Sequence, residues 1–175
     1  MRTAVSFVST PQHLRLALAP WRWVLVPLAL VLASRAAVLA VGYVGLHLVP
    51  DSPRLNTMFR SAAYTARPDL GPWYAWDASW YAAIALDGYQ ASGPAAASAA
   101  FWPMLPLLEA VLSRLLLVIA PQVSPGGAVL WAGLLIVLVA FAIGAALLYR
   151  LVLEDHGPDV ARRTVAVLAF APGAL

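Results

Sequence analysis

Cysteine and lysine are both missing from this 175-residue chain, and charge of either sign is scarce. Without cysteine there is no disulfide scaffold, no thiolate metal site and no cysteine nucleophile. All 11 basic residues are therefore arginine, set against 8 acids, and charged residues make up only 11% of the chain. A water-soluble fold is about 25% charged and about 45–50% apolar. Here hydrophobic residues reach 62%, which sets the chain outside that class. The same figures exclude disorder, which needs low hydrophobicity and high charge. The arginine and alanine bias points to a GC-rich bacterial genome, a codon effect and not a physical one. A net charge of +3 with no dense basic stripe reads as membrane topology, not as nucleic-acid binding.

What the chain has instead is long apolar runs. Residues 23–49 form the first, and a bilayer core about 30 Å thick needs about 20 helical residues, so this run is long enough to span. Arg2, Arg15 and Arg22 precede it with no acid among them. The run is too long for a cleaved signal peptide, and the positive-inside rule puts residues 1–22 in the cytoplasm. Residues 128–149 carry no charge and predict a second transmembrane helix. The charged stretch 150–163 follows and reads as a cytoplasmic loop. Residues 164–175 turn apolar again, as the start of a third transmembrane helix that stops short, so the chain reads as an incomplete piece of a longer protein. Together these predict an all-α, polytopic transmembrane protein.

Residues 50–127 are a different material, expected as an extracytoplasmic loop with juxtamembrane helices over about 76–88 and 101–120. Asp51, Asp69, Asp77 and Asp87 lie here with Arg54, Arg60 and Arg67. Trp and Tyr are dense enough to hold such a loop at the membrane surface. Residues 91–100 look like a flexible low-complexity link. In 101–120, Glu109 and Arg114 in mid-membrane would cost about 2.5–3.5 kcal/mol each. Trp102, Pro106, Glu109 and Ser113 fall in one helical sector, which fits an amphipathic interfacial helix better than a span.

The richest local pattern is Trp76-Asp77-Ala78-Ser79-Trp80-Tyr81, running on to Asp87-Gly88-Tyr89. Trp76, Trp80 and Ile84 recur at helical spacing, and Gly88 is a natural stop. Asp77 then sits in the first turn of a short aromatic helix. It is either a capping, dipole-favoured acid or a general base for a hydroxyl acceptor. The aromatics suit either an interfacial belt or stacking on sugar faces. Asp87 lies about 80° from Asp77 on the wheel, so the two are not a dyad. Arg35 sits inside the first apolar run, where a charge calls for either a bundle partner or an anionic ligand. Glu109 pairs with Arg114 or meets an acceptor hydroxyl. His13, His47 and His156 have no metal-ligand spacing.

WDASWYAAIALDGY followed by AFWPMLPLL resembles the first extracytoplasmic loop of the PIG-V family, the GPI mannosyltransferase 2-like GT-C glycosyltransferases and their bacterial relatives. The pattern is met by Trp76, Asp77, Tyr81, Ile84, Ala85, Gly88 and Tyr89, then by Phe101, Trp102, Pro103, Pro106 and Leu107. The resemblance covers about residues 20–175, the N-terminal part of such a protein. It implies a multi-pass protein of the bacterial cell membrane with its active loop outside. It implies inverting transfer of a hexose, mannose in the family, from a polyprenyl or dolichyl phosphate donor to a glycan or glycolipid acceptor. Asp77 takes the catalytic role, and Trp76, Trp80, Tyr81, Tyr89, Trp102, Glu109 and Arg35 are the substrate-binding candidates. Ser79 stands where a D-x-D pair would have its second acid, so no metal and no cofactor are expected. Membrane lipids are expected partners and nucleic acid is not. The competing expectations are a non-catalytic integral membrane protein and, behind it, a transporter.

Overall fold

The computed structural model describes residues 22–48, 70, 73 and 77–171. The expected N-terminal segment and most of 50–76 lie outside them. Every regular element described is helical: α1 (Arg22–Leu48), α2 (Asp77–Asp87), a 3-10 segment (Pro94–Ala100), α3 (Met104–Ile119), α4 (Pro125–His156) and α5 (Pro158–Phe170). Two of these are long and apolar enough to cross a membrane, α1 through Trp23–Gly45 and α4 through Pro125–His156.

Local chemistry explains the boundaries. Ser124 caps α4, its hydroxyl accepting the Gly127 N–H at 3.2 Å, and Pro125 takes the first helical position, where its missing N–H costs nothing. The helix runs 32 residues, about 48 Å at 1.5 Å per residue, well past the apolar run expected over 128–149. The end of that run is not the end of the helix, because Arg and Glu are themselves good helix formers. The stretch 150–163, expected as a loop, is accordingly helical on both sides of Gly157. Gly157 breaks it with φ of 82°, a conformation costly for any residue with a Cβ. Pro158 and Asp159 then open α5, six residues before the apolar restart at 164.

The chain forms two compact units, Met1–Ser34 with Ala142–Leu175, and Arg35–Phe141. In the first, each helix turns one stripe inward: Pro27, Val31 and Ser34 on α1, Ala145 and Tyr149 on α4, and Ala161, Val165 and Ala169 on α5. The Ser34 hydroxyl donates to the Val31 carbonyl at 2.9 Å, so a buried polar group is satisfied within its own helix. The Arg150 guanidinium sits 5.5 Å over the Trp23 ring and bonds Glu154 at 3.0 Å. In the second unit Leu70, Ala82, Val129 and Leu130 form the core, with Trp73, Ala85 and Leu86 against it. A Cβ on Gly42 would overlap the Trp73 indole, so only glycine lets that ring lie directly on α1.

Candidate functional site

Asp77 is the first residue of α2 and is exposed. Its charge favours the helix N-terminus, where unpaired N–H groups carry partial positive charge. Ser79, Ala82 and Ile84 turn inward from the same helix. At the other end Gly88, at φ 76°, donates its N–H to the Ile84 carbonyl at 2.9 Å and stops the helix. Trp76 lies outside the described residues.

The chain between α2 and α3 is not the flexible link expected of 91–100. It contains the 3-10 segment, and Ser98 within it is buried. The Ser98 hydroxyl accepts the Gln90 N–H at 3.2 Å, tying the segment to the end of α2. Ala97, Ala99 and Ala100 around it are exposed, so the order of this stretch rests on the 3-10 turns and the Ser98 bond and not on close packing of its alanines. The return ends on Phe101. Its ring stacks on Trp80 with centroids 5.6 Å apart and meets Tyr81 edge-on at 5.2 Å. Its carbonyl accepts the Tyr89 hydroxyl at 2.8 Å. Three of the aromatic candidates therefore converge on one residue not counted among them. Phe101 opens the second sequence motif and physically joins it to the first. Helices α2 and α3 pack together.

Helix α3 shows a second difference from expectation. Pro106, Glu109 and Ser113 do share one sector, and that sector is the buried one. Trp102 precedes the helix and does not join them, being 82% exposed. Glu109 is 2% exposed, and its Oε2 has no hydrogen-bond partner among the described residues. Burial pushes its pKa up to about 7, since an ionised carboxylate loses its hydration there. The expected Glu109–Arg114 pair does not form. Five residues of helix set the two side chains about 140° apart, and Arg114 is on the exposed side. Ser113, one turn from Glu109, donates to the Ala110 carbonyl at 3.0 Å.

Arg35 is half-buried on α1, its guanidinium 4.8 Å from the centroid of the Phe141 ring of α4. His47 is bonded within its own helix to the Tyr43 carbonyl at 2.8 Å. The chemistry on offer is thus an exposed carboxylate at a helix start, able to accept a proton from an incoming hydroxyl. Beside it stands a helix with one buried carboxyl, able to accept or, when protonated, to donate a hydrogen bond.

No family model, no curated protein and no solved structure matches this chain.

Proposed function

We propose that this chain belongs to a polytopic membrane glycosyltransferase that moves a hexose from a polyprenyl phosphate donor to a hydroxyl of a glycan or glycolipid acceptor. The observation that supports it most is the α2–α3 pair. An exposed first-turn Asp77 and a buried Glu109, its Oε2 without a hydrogen-bond partner among the described residues, are carried on packed helices of one unit that also holds parts of both candidate spans. The acceptor oxygen attacks the anomeric carbon as the bond from that carbon to the phosphate oxygen breaks. Asp77 takes the acceptor's proton and later releases it to water, and the lipid phosphate leaves with the bonding pair. Inversion follows from the single displacement. Glu109 is assigned to a hydroxyl of the substrate, and Arg35 to anionic charge on the donor.

Replacing Asp77 by Asn tests the assignment. Asn keeps the size and much of the capping ability of Asp but cannot take up the proton. Transfer in membranes should fall by about 10²–10⁴-fold with protein level unchanged, while Asp87→Asn keeps most of its activity. Near-normal transfer by Asp77→Asn would remove the base assignment. No transfer by the unsubstituted protein would favour the second reading, a non-catalytic membrane protein. The engagement of Trp80, Tyr81 and Tyr89 with Phe101 supports that reading, since those aromatics already have a packing role.

The topology that goes with this proposal has residues 1–22 and 150–163 in the cytoplasm and 50–127 outside, motivated by the arginines ahead of the first span. Reporter fusions after Gly126 and after His156 should read outside and inside respectively. The reverse at either site removes that arrangement.

A further inference from the structure

Helix α3 is amphipathic with its polarity turned inside out. Leu107, Leu108, Val111, Leu115, Val118 and Ile119 are all exposed, the last two at 81% and 80%. At about 100° per residue they fall within about 120° of arc, directly opposite Pro106, Glu109 and Ser113, which are buried. In water this arrangement is the wrong way round, since it hydrates the leucines and desolvates the acid.

We infer that the outward face of α3 is covered by the acyl chains of one membrane leaflet, with the helix lying in the plane of that leaflet. Four further features fix the occupant. Sixteen residues rise about 24 Å, too short for a core of about 30 Å, so α3 cannot cross. Only Ala120–Ser124 separate it from α4, so its end is held at the start of a candidate span, where leaflet and headgroups meet. Arg114, the one cation of α3, lies at the border of the apolar arc. Its aliphatic stem can follow the arc while the guanidinium reaches lipid phosphate. Trp102, exposed just ahead of the helix, has the amphipathic ring that favours the same depth. The inference rests on the membrane part of the proposed function and not on the catalysis.

The absence of cysteine makes the test clean, because any introduced cysteine is the sole labelling site. Leu108→Cys, Val111→Cys and Leu115→Cys are each spin-labelled in nanodiscs of phosphatidylcholine and phosphatidylglycerol. Accessibility to oxygen and to a water-soluble nickel chelate then gives the depth of each. Leu135→Cys, exposed on α4, serves as the bilayer reference. The expected result is one shared depth for the three α3 labels, roughly 5–10 Å below the headgroups, with the Leu135 label deeper. Nickel accessibility like that of a site in water would overturn the inference. A depth increasing steadily from 108 to 115 would also overturn it, by making α3 a transverse helix. So would spin–spin broadening that disappears on dilution with unlabelled protein, which would make a second copy the occupant. A Leu135 label in water would defeat the membrane reading itself, an outcome distinct from a deep Leu135 label with aqueous α3 labels.

Discussion

Helices α3 and α5 have similar lengths and similarly sharp two-sided patterns, yet they face opposite ways. In α5 the small and apolar Ala161, Val165 and Ala169 turn inward, while Asp159, Arg162 and Arg163 are exposed. In α3 Glu109 and Ser113 turn inward, while leucines and valines are exposed. An amphipathic helix puts its apolar stripe toward whatever is apolar. For α5 that is the protein interior. For α3 it is the surroundings, and the protein interior takes the polar remainder. The same periodicity thus has two opposite meanings, and the environment of each helix selects between them.

The largest effect that would break this contrast comes from a charge on the outward arc of α3. Val111→Asp should destabilise the protein in nanodiscs by about 2 kcal/mol or more, since an acid is placed against hydrocarbon. Thermal unfolding with a tryptophan readout measures it. An unchanged midpoint would mean that α3 faces water after all.

A smaller effect concerns the inward acid. The folded pKa of Glu109 is raised from 4.5 to about 7 by burial. The folded state therefore holds a proton that the unfolded chain releases near 4.5, and between these values stability falls as pH rises. Below about pH 4.5 both states are protonated and the penalty vanishes. The total change has an upper bound of about 3.5 kcal/mol at 1.36 kcal/mol per pH unit. Glu109→Gln should flatten the melting profile between pH 4.5 and 7. A wild-type profile already flat over that window would show that Glu109 finds a charge partner.

The smallest effect is the counterpart on α5. Val160 is exposed beside Asp159, in the charged half of the helix. Val160→Asp should change stability by less than about 0.5 kcal/mol, as surface substitutions do. A loss matching that of Val111→Asp would erase the distinction between the two outward faces.

Much of the helical framework was legible in the residues alone. Apolar length marked α1 and α4, the Trp-Asp pattern with Gly88 bounded α2, and the sector of Pro106, Glu109 and Ser113 outlined α3 within 101–120. These are local properties, set by backbone sterics and by the number of residues a bilayer requires. The carry-over of α4 through Arg150 and Glu154 was not legible, because hydropathy reports burial and not backbone conformation. Nor was the order in 91–100, where alanine and serine look featureless until Ser98 is seen bonded to Gln90.

The sequence by itself determined that this chain carries apolar segments of membrane-spanning length, through the order of its residues, and that thiol chemistry is closed to it, through their composition. Spacing determined that Asp77 stands in a first helical turn. Only the tertiary structure decided what the aromatics do, since the contacts of Phe101 with Trp80, Tyr81 and Tyr89 join residues up to 21 positions apart. Only the tertiary structure turned Glu109 inward and left its Oε2 without a hydrogen-bond partner among the described residues. A helical wheel fixes which side chains share a face. What that face meets depends on neighbours brought from elsewhere in the chain and on the solvent around it.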